Sequence, residues 1–524
     1  MPIIVNDMAK FYAAQTLDKC HVNVFGFKVL PAAFASSMIS LSVLLQAIVF
    51  LGTSAMADFG SLRKLMLMLT AFLGAAFTVA FIFLSTNKLF LFAGLLLLLS
   101  NIFYGYSVVF YNAYLAPIVR SLPEYTETSQ EQQHDTMDRL TNKISTRGFM
   151  IGYACGVFML LLSIPIVLFS PKVSKREWWL CERGKPPVIQ YDDDTSLGYR
   201  ISIFLCGLWW LGISVFPLLW IHARPGPPLP TGKNYISASF SNVWNTVKSI
   251  KHLRHSFIFL IAYFLFSDAY NTISYVGILF AKNDMGAGAI ELIILLIEVP
   301  LLALVGNFFF LWIKNKLGLE SKTMIYINLA CFLFLPVYSF IGFIPAAPIG
   351  MKRIWELFVF GAIFGFNIGS IQSFARTVFI SLTPPGHEAE FFGFYEITDK
   401  GSAWIGPAIV ALLTEWTGQV RYSFIYLFVA LLIPAVILKF VDVREGTMQA
   451  RAYSESENAE PMVEFGRLDS ADDDDNDGLS AGGSDDLSPK SKAHVIPSPS
   501  KDRSTSIDIG GSLLEDEEDV SLDH

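Results

Sequence analysis

Residues 367–407 read NIGSIQSFARTVFISLTPPGHEAEFFGFYEITDKGSAWIGP. The stretch is apolar enough for a membrane, yet it carries Arg376, Asp399 and Lys400 on either side of a Pro-Pro-Gly turn. A mid-bilayer Arg, Lys or Asp costs about 2.5 to 3.5 kcal/mol, so such residues persist where they face a bundle interior or a water-filled cavity. Gln372 and Arg376 lie well inside an apolar run and are expected to face a solute. Residues 384–390 are expected as a cytosolic turn. Asp399 and Lys400 are expected at a helix end, as a gate opposite residues 58–64 or as caps that snorkel to the interface.

Outward from this stretch, the composition is 53% hydrophobic, 14% aromatic and only 16% charged, with mean hydropathy +0.48. Soluble domains do not read this way, and the chain is a polytopic membrane protein. From Val441 onward 22 acidic residues face 7 basic ones, so a net charge of −8 for the chain leaves +7 on the rest. A basic membrane body suits the positive-inside rule, and no soluble region large enough for nucleic acid is present.

Apolar runs near the roughly 20 residues that cross about 30 Å of hydrocarbon fall at 31–56, 65–86, 89–117, 149–170, 200–222, 256–281, 289–313, 323–345, 354–382, 395–415 and 421–441. Eleven helices are expected, and the continuous runs lack the alternation of barrel strands. The organisation reads as a luminal lead-in at 1–30, a first bundle at 31–222, a cytosolic linker at 223–255, a second bundle at 256–441 and a disordered acidic tail at 442–524. In the linker, Phe240, Val243, Trp244, Val247 and Ile250 recur at helical spacing with Lys248 and Lys251 on the polar side, which points to an amphipathic helix on the cytosolic face of the membrane, a partner-binding or calmodulin-like role being the alternative. Basic clusters in alternate loops, from Arg63 and Lys64 to Lys314, Lys316 and Lys322, place those loops and the tail in the cytosol.

Asp58, Arg63 and Lys64 sit in a short loop with spacing D-x-G-x-x-R-K, where a charge pair can latch neighbouring helices. The spacing resembles the loop signature of the major facilitator superfamily, and the segment from Lys314 to Lys322 repeats it in the second half. Asn101, Tyr111 and Asn112 are polar positions in an apolar span, either glue between helices or solute contacts. Gly148, Gly152 and Gly156 are expected to bring two helices close. Asp268 with Asn271 or Thr272 shares a helix face in the sixth span; Asp268 is expected as a solute amine contact or a proton carrier, the alternative being a helix–helix hydrogen bond, and Glu298 is a second candidate proton carrier. No nucleophile, base and orienter are linked by motif and no metal-ligand spacing occurs, so neither an enzyme nor a cofactor or metal is expected. Cys20 and Cys181 are a candidate disulfide, and Ser488 and Ser498 are candidate kinase targets in the tail.

FYNAYLAP, ISTRGFMIGYACG, GLWWLGISVFP, SDAYNTI and above all SFARTVFISLTPPGHEAEFFGFYEITDKGSAWIGPA together resemble the autophagy-related protein twenty-two family, fungal vacuolar amino-acid effluxers of the major facilitator superfamily. The resemblance runs from Val22 to Arg444. It implies an all-α fold of two bundles with twelve spans, of which the first is missing here. It also implies a vacuolar-membrane permease that returns leucine and other neutral amino acids to the cytosol after autophagic breakdown. On the chemistry of the residues, a solute carboxylate is expected on Arg376 and its amine on Asp268, with Asn101, Tyr111, Asn112, Asn271, Thr272 and Gln372 around them. The expected partners are an amino acid, membrane lipids and kinases. The alternatives are a receptor or scaffold acting through its tail, and a transporter of another small solute.

Overall fold

The computed structural model describes residues 1–15, 21–24, 26–31, 34–130, 132–169, 197–224, 226–229, 234–248 and 251–456. Cys20, Cys181, Ser488 and Ser498 lie outside the described residues.

The first bundle contains α1 (Pro2–Gln15), α2 (Phe34–Thr53), α3 (Leu62–Val79), α4 (Phe90–Arg120), the short α5 (Pro123–Thr126), α6 (Gln133–Phe169) and α7 (Leu197–Trp220). After α8 (Tyr235–Lys248), the second contains α9 (Arg254–Asn283), α10 (Ala289–Leu317), α11 (Ser321–Phe340), α12 (Ile354–Ser381), α13 (Glu388–Ser402), α14 (Ile405–Thr417) and α15 (Ser423–Leu438). A last helix, α16, covers 443–456. Among the described residues nine helices are long and apolar enough to cross a membrane, and the chain is a multi-pass membrane protein. Two further expected spans take other forms. The apolar run of α2, Phe34–Phe50, falls short of that length. The run at 395–415 is interrupted at Ala403 and Trp404, where α13 ends and α14 begins.

The region expected as a luminal lead-in is structured. Ile4, Val5, Met8, Ala9 and Ala13 recur at helical spacing along α1 and are buried against Phe34, Phe81, Phe90 and Ala93. At about 1.5 Å per residue a helix of this length is too short to span, which is why an apolar-run criterion passes over it. A two-stranded hairpin, Val22–Val24 paired antiparallel with Phe27–Val29, follows it. Its turn uses Gly26 at φ +90°, a conformation that favours glycine.

The bundles meet through α2 and α4 against α13, and through α6 against α10 and α12. Where helices touch most closely, glycine allows it: a Cβ on Gly306 of α10 would overlap the Phe366 carbonyl oxygen of α12, and one on Gly365 of α12 would crowd Val299 of α10. The glycine run of α6 behaves differently. A Cβ on Gly148 would stand 3.9 Å from the Arg376 guanidinium, and nothing lies within 4 Å of one on Gly152 or Gly156. The expected tight packing is therefore absent. Gly152 and Gly156 are exposed.

Helix α8 lies across α2, with Ala238, Ser239 and Thr246 buried and Ile236, Phe240 and Trp244 exposed. Its exposed apolar stripe, ending at Lys248 over the Trp244 ring, matches the expected amphipathic helix; the side chain of Val247 and residue Ile250 lie outside the described residues. The acidic segment expected as disordered from 442 begins instead with α16, packed on both bundles.

Candidate functional site

At the end that carries the loop of Asp58, the halves are joined by buried charge. Arg63 donates to Asp58 Oδ1 at 2.7 Å and to Glu388 Oε2 at 2.9 Å. Arg120 donates to the other Glu388 oxygen at 2.5 Å. The Asp58 carboxylate also accepts the backbone N–H groups of Ala389 and Glu390, each at 2.9 Å, so it satisfies orphan donors in the first turn of α13. The second repeat closes the same end: Lys314 of α10 donates to Asp138 of α6 at 2.7 Å, and the Ser321 hydroxyl donates to the same carboxylate. Lys64 makes no ion pair among the described residues.

Three turns along α13 from Glu388, the charges face the middle of the molecule. Arg376 of α12 is buried and all its N–H groups are engaged. Nε donates to Ser145 Oγ at 3.0 Å; Nη1 donates to Tyr111 Oη at 3.1 Å and Asn112 Oδ1 at 3.0 Å; Nη2 donates to Ser145 Oγ and its carbonyl at 2.7 and 3.1 Å. The Phe149 ring stacks on the guanidinium at 4.5 Å. Arg376 thus bolts α12 of one half to α4 and α6 of the other.

Glu396 on α13 is buried and accepts from Asn112 at 3.5 Å. Asp399, one turn on, accepts from Tyr263, Ser267 and Tyr270 of α9, all on Oδ1 at 2.5 to 3.0 Å. Lys400, one turn from Glu396 on the same face, stands 5.7 Å from the centre of the exposed Tyr104 ring. Among the described residues its ammonium makes no hydrogen bond or ion pair. A cation with free donors therefore sits beside two carboxylates, next to Tyr104 and Tyr111, which are 49% and 43% exposed. Such a set can hold both ends of a zwitterion.

A model of the family "Vacuole effluxer Atg22 like" matches residues 4–451. The chain belongs to this family. It is 30% identical to Autophagy-related protein 22-1 of Aspergillus niger, over 85% of this chain and 78% of that protein. It is 31% identical to Autophagy-related protein 22-1 of Penicillium rubens, over 85% and 81%. Its fold is similar to that of FucP, a major facilitator superfamily transporter in the outward conformation, with TM-score 0.52 and 14% identity over 84% of this chain and 95% of that one. A bacterial homologue of the iron transporter ferroportin in an outward-facing state gives TM-score 0.53 at 12% identity, over 84% and 96%. The fold is that of the major facilitator superfamily.

Within this Atg22-like chain, the expected site residues separate into groups. Arg376, Tyr111 and Asn112 come together as expected; Gln372, one turn before Arg376, instead accepts from Tyr153 of α6 at 3.3 Å. Asp268 does not face Arg376: it accepts the Gly406 N–H at 2.9 Å and the Tyr426 hydroxyl at 2.7 Å, capping α14 just after the helix break. Thr272 packs on Gly406, and Asn271 donates to Ser267 at 3.5 Å. Asn101 ties α4 to α2, donating to Ser42 at 2.6 Å and accepting from Gln46 at 3.0 Å. Glu298, half-buried and apart from this cluster, has an oxygen 3.5 Å from where a Cβ on Gly361 would stand. Asp399 and Lys400 are not opposite Asp58; Glu388 takes that place. Sequence reasoning passed over Glu396, although it lies in the first stretch quoted and one turn from Lys400.

Proposed function

We propose that this chain exports small neutral amino acids, leucine among them, from the vacuole to the cytosol by alternating access. The observation that carries this reading is the opposed charge of Glu396, Asp399 and Lys400 on one helix, at the seam between two halves of a transporter fold and beside exposed tyrosines. The amino-acid carboxylate would bind the Lys400 ammonium, with the Tyr111 hydroxyl, and its amine would bind Glu396 and the free Asp399 oxygen. Charge-assisted hydrogen bonds of this kind are the strong ones in a site screened from water. Arg376 has its donors occupied and would act first as the bolt that holds the halves in register.

The latched end is taken as cytosolic, in line with its basic loops. With Asp58, Arg63, Glu388, Asp138 and Lys314 paired, that end is shut. Family membership as a vacuole effluxer supports the direction. Counterflow of a panel of amino acids, sugars and organic cations in proteoliposomes tests the reading. Neutral amino acids should exchange, and Lys400→Gln or Glu396→Gln should raise the half-saturation concentration by about tenfold or more. Exchange of sugars or cations but not amino acids would overturn it.

A further inference from the structure

A cavity lies at the latched end. It measures about 200 Å³, and its mainly apolar wall of Met137, Ile380, Pro385 and Ala450 is set with polar groups from Arg120 of α4, Tyr125 of α5, His134 of α6, Thr383 beyond the end of α12, and Thr447 and Arg451 of α16. At roughly 30 Å³ per water, it has room for a small hydrated anion.

The lining has a distinctive chemistry. Arg120, Arg451 and His134 line it with the hydroxyl residues Tyr125, Ser381, Thr383 and Thr447, and no carboxylate lines the space among the described residues. Arg120 pairs with the Glu388 carboxylate. Among the described residues Arg451 has no carboxylate partner and makes only a long hydrogen bond, to the Tyr125 hydroxyl at 3.4 Å. A guanidinium without a carboxylate partner in a concave site attracts a counter-ion. Tetrahedral phosphate, with about −1.5 to −2 charge and three acceptor oxygens, matches a site that offers several donors from different directions.

The walls come from both halves and from α16. That helix bridges the same seam: Thr447 donates to the Ser381 carbonyl at 3.0 Å and lies 3.5 Å from His134 Nδ1, and Arg444 pairs with Glu320 at 3.2 Å and Asp135 at 3.9 Å. Opening this end separates Arg120, Tyr125 and His134 from Thr383, so an anion bound here has differential affinity for the latched state.

We propose that this cavity binds a phosphate group, free or on a lipid headgroup, and that its occupancy holds the latched end closed. The test uses the full-length protein purified in detergent, at constant ionic strength set with chloride. Apparent Tm is followed against inorganic phosphate in one arm and a soluble short-chain phosphatidylinositol phosphate in the other. A saturable rise in either arm that weakens roughly tenfold in Arg451→Gln supports the site. A rise only with the lipid assigns the source to a headgroup, and a rise with both shows that the phosphate suffices. No rise in either arm, or a rise unchanged in both Arg451→Gln and His134→Gln, overturns the proposal. The readout is binding, so a negative result leaves the transport reading standing.

Discussion

Arg63 and Glu388, 325 residues apart, meet at 2.9 Å with their side chains only 5% and 3% exposed. Removing Glu388 leaves Arg63 with Asp58 alone and Arg120 without a carboxylate partner among the described residues, against a full cost of about 3 to 5 kcal/mol for breaking a wholly buried pair. If opening this end separates α3 from α13, that cost falls on the closed conformation alone. Glu388→Gln should therefore open this end. In a background without native cysteines, a cysteine at Met137, buried near this seam, should be alkylated at least tenfold faster when Glu388→Gln is added. An unchanged rate would show that the other contacts hold the end closed without this pair.

The same cluster carries a pH dependence. Burial pushes the Asp58 carboxyl up to about 7; the Arg63 charge opposes this and the Glu388 charge adds to it. Once the end opens and Asp58 is hydrated, the carboxyl returns toward 3.8, its ordinary value. The closed state thus binds the extra proton between about pH 4 and 7. Closure strengthens as pH falls through that window, by up to about 1.4 kcal/mol per unit, and changes little above 7. For Glu388, burial again pushes the carboxyl up, but Arg63 and Arg120 outweigh it and hold the carboxyl below the ordinary range, so its contribution fails only at lower pH. Labelling at position 137, normalised to a free thiol peptide, should slow from pH 7 to pH 5, and Asp58→Asn should flatten the profile.

Much of the fold was legible because an apolar run of about 20 residues carries its own signal. Helix α1 escaped because it is shorter than a span; its apolar residues recur at helical spacing, but their burial against Phe34, Phe81 and Phe90 is a tertiary contact. The break between α13 and α14 was present in the sequence as Gly401 and Gly406-Pro407, residues that weaken a helix. The site was half legible. Arg376 drew attention because a guanidinium deep in an apolar span needs partners. Which carboxylate it or Arg63 would meet depends on how bundles dock across hundreds of residues. Asp268 shows the same limit: a buried carboxylate reads identically whether it waits for a solute or caps Gly406 of a broken helix.

That distinction is measurable. Asp268→Asn keeps the Gly406 bond only if the amide oxygen faces it, and it weakens the acceptor for Tyr426. Apparent Tm should fall by an amount that reflects about 1 to 3 kcal/mol, with the half-saturation concentration of surviving protein nearly unchanged. Lys400→Gln should show the opposite pattern: a stable protein with weakened substrate affinity. Equal effects of both substitutions on affinity would return Asp268 to the substrate site.

Glycines offer the sharpest contrast between spacing and structure. Gly152 and Gly156 repeat at four residues, yet a methyl group at either meets nothing within 4 Å. At Gly306 the same methyl would overlap the Phe366 carbonyl oxygen, a backbone atom that cannot rotate away. Overpacking of this sort costs about 1 to 3 kcal/mol. Gly306→Ala should lower apparent Tm and yield, because α10 and α12 must separate to accept it. Gly152→Ala and Gly156→Ala should leave Tm unchanged or slightly raised, since alanine favours helix over glycine by about 1 kcal/mol. Any effect of these two on transport would grow with side-chain size from alanine to leucine. If Gly152→Ala instead destabilised the protein as much as Gly306→Ala, α6 would have to pack closely there in another conformation.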